Sequence, residues 1–466
     1  GGLNMIFFGD LLQLPPPDGG FLGHVPRSLT HPQSRPTGDT LTDYGRELFW
    51  SGAVAGVTEL DERMRCDDMW WNQVTDELRD GALSDTNWGY LHGVAVPGCI
   101  LSDDERASRK RVVDGPYDAR LQKPGFQRAT VIVPTNDARY QINKDRARLF
   151  AAAESVELRW SQAFDTAGSQ VLQSTEVTKA TKLSWLQYHD RDTGDLCGMV
   201  PLAVGLPMAL TDHMDRSREK SLLKGRTCVV HRIDWPDGAK QPKLVWVQFQ
   251  GAQWQLPGTS EAGMYPLEPV RRAWHLDGRR KKPVLRLLRT QLPLVPAFAI
   301  TAHASQGNTL QGGIVDLLID KSASTTHAYV AMTRFRRRED VLILRPFPQA
   351  LYSRGQMDGP ELLLQTLRGE NIDWQAVSKK RDERSKALTA AANTKIIRCA
   401  DCRGDLPAAD FPPAPYADTT SVRQCWKCIR AQTVLECCVC KEEKPRNDFE
   451  EGVLKLPRGA MPCKQC

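Results

Sequence analysis

The spacing of apolar and polar residues along the chain changes period several times and predicts a mostly parallel α/β sheet. The strands predicted from apolar runs lie at 4–8, 129–133, 292–300, 314–319 and 340–344. The predicted helices lie at 43–52 and at 67–79, the second ending at Gly81, and a third follows the turn at 134–136 and runs to about Ala153. Strands that alternate with loops and helices in this order are typical of parallel sheets, because each crossover needs a helix.

The middle of the chain follows a different pattern and is richer in strands. Segments 227–234 and 243–250 alternate apolar and polar residues, and they flank a Trp-Pro-Asp-Gly-Ala turn signal at 235–239. This pattern predicts a small antiparallel barrel inserted into the α/β domain. The charged stretch at 98–128 is interpreted as an insertion or a loop, and 361–395 as a charged helical linker.

Length and charge limit the class of protein. The 466 residues, 41% of them apolar and 25% charged, suffice for several globular domains, and a net charge of +6 says little about partners. No apolar run approaches the roughly 18–20 residues that span a bilayer, and no signal peptide is visible. The first residue is Gly and not Met, so a preceding region could carry any targeting address. A basic run at 271–289 indicates either a solvated hairpin or a surface that follows phosphates.

The cysteines are concentrated in the tail, where they form an internal repeat. The repeat unit, Cys-x2-Cys-x22-Cys-x2-Cys, occurs twice at an offset of 38 residues, and Pro407, Asp410 and Phe411 recur as Pro445, Asp448 and Phe449. The eight repeated cysteines are Cys399, Cys402, Cys425, Cys428, Cys437, Cys440, Cys463 and Cys466. A repeat this strict points to one structural unit used twice.

Each repeat has the ligands of a structural zinc site. A Cys-x2-Cys turn directs two thiolates at one ion about 2.3 Å away, and two such turns complete a tetrahedral site. We therefore predict two four-cysteine Zn²⁺ sites, whose pairs close either in sequence or crossed between the halves; Cys438 is a spare. The tail resembles the tandem LIM-like zinc module of fungal adaptors that join RNA-interference complexes to chromatin. That resemblance implies binding of a protein or nucleic acid without catalysis.

Six ordered segments carry a second resemblance. They are Gly-Asp-Leu-Leu-Gln-Leu-Pro at 9–15, Leu-Asp-Glu-Arg-Met-Arg-Cys at 60–66, Val-Pro-Thr-Asn at 133–136, 204–210 with Lys224-Gly225, 291–294 with 301–309, and 329–334. In this order they resemble the superfamily 1B DNA helicases of the petite-integration-frequency (PIF) family, relatives of RecD, over about residues 1–348. The resemblance implies a fold with two RecA-like P-loop NTPase lobes, the first truncated, that clamp ATP and Mg²⁺.

The resemblance also assigns roles to residues. Gln13 matches the sensor of the γ-phosphate or attacking water, while Arg65 and Arg334 match arginines that reach the γ-phosphate, a role suited to a permanently charged planar fork. The nucleotide-binding set it implies is Gly9, Asp10, Gln13, Arg65, Gly307 and Arg334. The set it implies for single-stranded DNA or duplex junctions is Asn136, His303, Ser305, Gln306 and Thr309. For Asn136, a helix cap is the alternative interpretation.

The chain departs from the family pattern in four respects. Cys66 stands where Gln is usual, Ala304 where Lys is usual, and Thr333 where Ser is usual. The fourth departure is that no Gly-x4-Gly-Lys-Ser/Thr loop and no acidic pair for Mg²⁺ occur, although both are expected just before Gly1. Either the chain is part of a longer helicase, or it is a non-catalytic derivative. We expect that these residues alone do not hydrolyse ATP.

Two functions follow from these alternatives. The first is an ATP-dependent 5′-to-3′ DNA helicase acting in replication, repair, recombination or telomere maintenance, in the nucleus or alternatively the mitochondrion. The second is a nucleic-acid-binding adaptor whose zinc tail recruits a protein partner. Neither function is expected to involve a membrane. The predicted domains are a partial first lobe (1–95), the second lobe (96–210 and 276–350), the barrel (211–275), a linker (351–398) and the zinc module (399–466).

Overall fold

The structure of the chain is a computed structural model. It describes residues 5–16, 20–30, 40–54, 56–60, 62–167, 183–276, 285–319, 324–356, 358–383, 396–398, 405–407, 434–436 and 443–445. The chain divides into two compact units, one of residues 1–19 with 58–358 and one of residues 20–57 with 359–466. The eight predicted zinc ligands lie outside the described residues.

The helices and strands have the following bounds. The helices are α1 (Arg27–Thr30), α2 (Thr40–Trp50), α3 (Met69–Asp80), α4 (Asp85–His92), α5 (Asp103–Arg109), α6 (Pro124–Gln127) and α7 (Asn136–Ala153), followed by Ala302–Ser305, Thr326–Met332, Asp358–Leu367 and 374–383. Short 3-10 turns lie at Ala119–Gln122, Asp190–Asp192, Arg338–Asp340 and Gln349–Leu351. The strands are β1 (Thr130–Val133), β2 (Arg159–Gln162), β3 (Phe164–Ala167), β4 (Met199–Leu202), β5 (Pro207–Leu210), β6 (Thr227–Asp234), β7 (Leu244–Gln248), β8 (Met264–Leu267), β9 (Val270–Leu276), β10 (Leu285–Gln291), β11 (Leu294–Pro296), β12 (Ala299–Thr301), β13 (Gly313–Val315), β14 (Val341–Ile343), β15 (Ile396–Arg398), β16 (Asp405–Pro407), β17 (Val434–Glu436) and β18 (Glu443–Pro445).

A parallel four-stranded sheet forms the centre of the first unit, in the order β12-β1-β13-β14. Its strands are short and almost wholly buried, as expected when both faces of a parallel sheet are covered. Ile132 faces one hydrophobic core with Trp71 and Leu78 of α3, because successive side chains of a strand point to opposite faces. Val131 and Val133 face the other core. This confirms the predicted mixed α/β fold with a parallel sheet.

Helix α3 follows the sequence prediction closely at both ends. Asp68 is its N-cap and accepts a hydrogen bond from the backbone N–H of Trp71, while Gly81 adopts a left-handed C-cap with φ of 60°. The buried stripe contains Trp71, Val74 and Leu78, spaced by three and four residues.

Helix α7 is joined to the parallel sheet by a buried asparagine. The Oδ1 atom of Asn143 accepts hydrogen bonds from the backbone N–H groups of Phe298 and Ala299, at 3.0 and 2.7 Å. Its Nδ2 atom donates to the carbonyl of Ala299 at 3.2 Å. A buried amide that is satisfied in this way fixes the helix against β12, which leads directly into the segment 301–309.

An antiparallel sheet of five strands accounts for most of the region predicted to be β-rich. Its order is β11-β5-β6-β7-β8, and β6 and β7 pair as the alternation around 235–239 predicts. Phe249 and Trp254 lie in the core beneath it, together with Ala147 of α7. The closure of these strands into a barrel stays a prediction.

A second antiparallel sheet, β3-β10-β9, encloses a buried ion pair. Arg289 and Asp165, whose side chains are 0% and 3% exposed, form two hydrogen bonds of 2.9 and 2.7 Å. Arg289 also donates to the carbonyl of Trp185, and the indole N–H of Trp274 donates to Asp165. The basic residues of the run at 271–289 therefore do not form a single surface, because Arg289 is buried in the core of this sheet.

The second unit contains α1, α2 and the helices at 358–367 and 374–383. Trp50, at the end of α2, donates its indole N–H to the carbonyl of Leu22 at 2.8 Å and packs against Trp374 at 5.8 Å between ring centroids. These contacts explain why Trp50 is buried, although Leu48 in the same turn is exposed.

Two hairpins in this unit reproduce the repeat of the tail. β15 pairs with β16 in the register Ile396↔Pro407, and β17 pairs with β18 in the register Val434↔Pro445. The equivalent positions differ by the same 38 residues as the cysteine repeat. The sequence between the strands of each hairpin contains one Cys-x2-Cys pair, so both halves of the repeat begin with the same backbone arrangement.

Two predictions about secondary structure are wrong. Residues 5–8 are not in a strand, and their apolar side chains are 56–90% exposed. The cause is physical: a strand needs a partner for its backbone groups, and no described strand pairs with this segment. The stretch 98–128, interpreted as an insertion or a loop, is not a plain loop, because it contains α5, whose capping box of Ser102 and Glu105 stabilises its first turn. No helix among the described residues is long and apolar enough to cross a bilayer.

Candidate functional site

The segment after residue 8 folds into a tight turn around Asp10. One carboxylate oxygen of Asp10 accepts the backbone N–H of Leu12 at 2.9 Å, and the other accepts the side-chain amide of Gln13 at 3.1 Å. Short acidic side chains stabilise turns by bonding in this way to the backbone two residues on. Gly9 and Asp10 are exposed, and the turn presents the Gln13 amide at the surface of the first unit.

Gln13 contacts the segment 301–309 directly. The side-chain oxygen of Gln13 accepts a hydrogen bond of 2.8 Å from the side-chain nitrogen of Gln306, although 293 residues separate them. His303 lies beside the backbone of Pro15, two residues after Gln13. The structure therefore brings the predicted phosphate sensor and the predicted DNA-coupling segment into contact.

The local fold of 301–309 explains the residue types found there. Thr301 caps the short helix Ala302–Ser305, and the hydroxyl of Ser305, fully buried, donates to the carbonyl of Ala302 at 2.8 Å. Gly307 has a φ of +84°, a region that residues with a Cβ rarely adopt. Gln306 and Thr309 are exposed. Ser305 therefore supports the turn internally, and the exposed backbone around Gly307 is the part that can approach a ligand.

The two predicted arginines lie at one place, on either side of Thr333. The Nη1 atom of Arg65 donates to the carbonyl of Thr333 at 2.8 Å, and the Nη2 atom of Arg334 donates to the Thr333 hydroxyl at 2.9 Å. Arg334 also donates to the carbonyls of Val330 at 2.7 Å and Asn308 at 3.4 Å. Because Asn308 lies two residues after Gln306, Gln13, Arg65 and Arg334 belong to one continuous set of contacts.

The electrostatics of this arginine pair favour an anion. Arg334 is 2% exposed, and burial, followed by the proximity of Arg65, lowers its pKa to about 10, so it keeps its charge at neutral pH. Within the described part of the chain, neither arginine has a carboxylate within ion-pair distance. Buried charges are normally paired, and a phosphate supplies the acceptor oxygens that an arginine fork binds well.

Asn136 is not the cap of α7. Thr135 occupies that position, and its hydroxyl accepts the backbone N–H of Ala138 at 3.2 Å. Asn136 is the first residue of the helix and is half-buried, and its amide has no hydrogen-bond partner among the described residues. The cap interpretation of Asn136 is therefore wrong, and its amide is available to a ligand.

Thr333 is a site residue that the sequence analysis treated only as a departure from the family pattern. Its carbonyl and its hydroxyl each accept a hydrogen bond from a different arginine, and the hydroxyl itself donates to the carbonyl of Tyr329 at 2.8 Å. The signal in the sequence was its position directly before Arg334. Thr and Ser both supply this hydroxyl, so the substitution leaves the arrangement intact.

Metal ligands are not grouped within the described residues, where no cluster of three or more His, Cys, Asp or Glu side chains could hold an ion. The described cysteines, Cys66, Cys99, Cys197 and Cys228, are separate and unpaired. The predicted zinc ligands and the region expected to hold Mg²⁺ lie outside this part of the chain.

Comparison with known proteins gives structural neighbours only. No family model and no curated protein matches the chain. Among solved structures it is similar to the Pif1 helicase of Candida albicans, with 17% identity, a TM-score of 0.40, and coverage of 66% of this chain and 60% of that one. It is also similar to Bacteroides Pif1 in complex with ADP-AlF3 and ssDNA, with 14% identity, a TM-score of 0.39, and coverage of 76% and 65%.

A third structure, Bacteroides Pif1 bound to ssDNA, gives 13% identity, a TM-score of 0.40, and coverage of 76% of this chain and 66% of that one. The chain thus spans about 60–66% of the length of these helicases. At such TM-scores the assignment of function depends on the residues of the site.

Proposed function

We propose that the chain is part of an ATP-dependent DNA helicase of the PIF type that moves 5′-to-3′ on single-stranded DNA. The observation that carries the proposal is the continuous set of contacts that includes Gln13, Arg65 and Arg334. These residues come from three distant parts of the sequence, and the fold links them through Gln306, Asn308 and Thr333. Residues 1–95 would belong to the first lobe, and 96–210 with 276–350 to the second, flanking the insertion at 211–275.

The chemistry supports a phosphoryl-transfer role. Catalysis of phosphoryl transfer depends on positioning and on neutralising the charge of the transferring group. Arg65 and Arg334 provide two positive charges, and Gln13 provides an amide that can orient water. The phosphate loop and the Mg²⁺ ligands are not in this sequence, so the proposal places them upstream of Gly1 in the same protein.

DNA-stimulated hydrolysis of ATP tests the proposal. We expect the protein extended upstream of Gly1 to hydrolyse ATP faster when oligo-dT is added, because the segment 301–309 contacts the sensor Gln13. Residues 1–466 alone serve as the control and should show no turnover. If DNA stimulates turnover and the protein unwinds only forks that carry a 5′ overhang, the result would support 5′-to-3′ movement. An extended protein whose turnover ignores DNA would contradict the proposal.

We further propose that the tail binds two structural Zn²⁺ ions and recruits a protein partner. The support is the pair of hairpins in equal register, each with one Cys-x2-Cys pair between its strands. Four thiolates match the ligand set of structural zinc, and a tail of this length needs the metal to fold. If no phosphate loop lies upstream, this recruiting role together with nucleic-acid binding becomes the function of the whole protein.

Metal analysis provides the test of the zinc proposal. We expect about two zinc ions per chain. Cys440→Ser should lower that number by about one, whereas Cys438→Ser, at a neighbouring position that is not repeated, should not change it. A folded tail without metal would contradict the proposal.

The pairing of the cysteines can be read from a double variant. Changing Cys402 and Cys428 to serine removes one ion if each repeat closes its own site, because both residues then serve the same ion. It removes both ions if the sites are crossed between the halves. The variant Cys402→Ser with Cys440→Ser removes both ions if each repeat closes its own site, because the two residues then serve different ions.

A further inference from the structure

The sheet β3-β10-β9 has one buried and one exposed face, and its exposed face carries an unusual set of side chains. The buried face holds Arg289, Asp165 and Trp274. Strand alternation and register place the following residues on the exposed face: Phe164, Thr166, Arg271, Ala273, His275, Arg286, Leu288 and Thr290. We name these eight residues the outer face.

The outer face is positively charged and has no acidic residue among its members. Arg271 and Arg286 are exposed, and neither has an ion-pair partner within the described part of the chain. Arg271 donates from Nη2 to the hydroxyl of Thr166 at 3.1 Å, which holds its guanidinium across the sheet. Arg272, next in sequence, points to the opposite face and pairs with Asp212. Among the described arginines of this sheet, Arg271 and Arg286 therefore keep an uncompensated charge.

The charges are spaced to meet more than one phosphate. Arg286 lies directly opposite His275 in the register of β9 and β10. His275 is four residues from Arg271, which corresponds to about 13 Å along a strand. Stacked nucleotides rise by about 3.4 Å per residue of one strand, so the two cationic ends reach different phosphates. Ala273 and Leu288 lie between the two cationic ends, and neither carries a long polar side chain that would project from the sheet.

An exposed aromatic ring lies beside the charges. Phe164 is 47% exposed and occupies the same row of the sheet as Thr290 and Arg271. A large apolar side chain on a charged face gains nothing from water, whereas an unpaired base can stack on it. Aromatic rings combined with backbone-binding cations are the usual means of holding single strands without regard to sequence.

We propose that the outer face is an additional binding surface for single-stranded nucleic acid, in which Arg271 and Arg286 contact phosphates and Phe164 stacks on a base. The surface is distinct from Asn136 and the segment 301–309. It needs no nucleotide, so it does not depend on the proposed ATPase activity. A duplex, whose bases are already stacked, offers the same phosphates but no base for Phe164.

Equilibrium binding of fluorescein-labelled dT20 to the whole chain, measured at several salt concentrations without nucleotide, tests the proposal. Each phosphate contact to a single strand contributes about 0.7 to the salt slope, or about fivefold in affinity at 0.1 M salt. We expect Arg271→Gln with Arg286→Gln to weaken binding by about 25-fold and to lower the slope by about 1.4. Arg271→Lys with Arg286→Lys should keep the slope.

A matched control separates position from net charge. Arg232→Gln with Arg272→Gln removes the same two charges, but from arginines paired with Asp234 and Asp212. This control should bind dT20 within about twofold of the unchanged chain. Phe164→Leu should weaken binding of dT20 at least about fivefold and leave the salt slope and duplex binding unaltered.

Three results would overturn the proposal. The first is an unchanged affinity and slope in the Arg271 and Arg286 glutamine variant, and the second is an equal loss in the control. The third is that the Arg271 and Arg286 glutamine variant loses binding to phosphatidylserine vesicles but keeps its binding to dT20. That result would make the outer face a membrane-binding surface. A failed ATPase test together with the expected dT20 results would reject the proposed function and leave this inference standing.

Discussion

Arg334→Ala is expected to lower DNA-stimulated ATP turnover of the upstream-extended protein by about a thousandfold or more, the range measured for arginine fingers. The reason is that the guanidinium of Arg334 is one of two charges at the site without a carboxylate partner in the described part of the chain. Its loss removes charge neutralisation in the transition state, whereas nucleotide affinity should change much less. Steady-state kinetics and binding of a labelled ADP separate the two effects.

The controls for Arg334 follow from its surroundings. Arg336→Ala, at an exposed position two residues further on, removes the same charge and should leave turnover within about twofold. Arg334→Lys should not restore activity, because a single ammonium cannot replace the planar fork. Since Arg334 is buried, thermal melts must show that the alanine variant is folded. A folded Arg334→Ala variant with nearly normal turnover would remove Arg334 from the site.

Asp165→Ala is expected to reduce the free energy of unfolding by about 3–5 kcal/mol, the largest effect on stability that we predict. It leaves the guanidinium of Arg289 in the core with no counter-charge, and it also removes the acceptor of the Trp274 indole N–H. Urea titration followed by tryptophan fluorescence measures the change, because Trp185 and Trp274 pack in this cluster.

Two variants test whether the buried charge is the cause. Asp234→Ala breaks the exposed pair with Arg232 and should cost less than about 1 kcal/mol. Asp165→Leu combined with Arg289→Met replaces both charges by apolar side chains of similar size, and it should recover most of the loss. If the double variant is as unstable as Asp165→Ala, the cost lies in lost packing and not in the unpaired arginine.

The sequence predicted those elements whose signals are local. The helix α3 has its cap residue, its apolar stripe and its terminal glycine within 14 positions, 68–81, so its bounds could be predicted almost to the residue. The pairing of β6 with β7 was predicted because a turn signal separates two alternating segments. In contrast, the apolar run at 4–8 satisfies every local rule for a strand, yet a strand also needs a partner that local rules do not supply.

The sequence proposed residues for the candidate site, whose roles stay predictions, but it did not predict their geometry. The order of the motifs identified Gln13, Arg65 and Arg334, yet only the fold reveals that Arg334 is buried and that Thr333 joins the two arginines. The basic run at 271–289 illustrates the same limit. Whether an arginine of this run lies inside or outside depends on Asp165, which is 124 positions from Arg289. Pairings at such separations leave no mark in local sequence.

The contact between Gln13 and Gln306 has a consequence for how the protein should respond to its solution. Both groups are neutral amides, so neither titrates in the physiological range and ions screen their hydrogen bond only weakly. Attachment to a polyanion weakens steeply as ionic strength rises, because counterions compete for the phosphates. In the proposed helicase, the contact between the turn at 9–15 and the segment 301–309 should therefore persist at salt concentrations that already release single-stranded DNA.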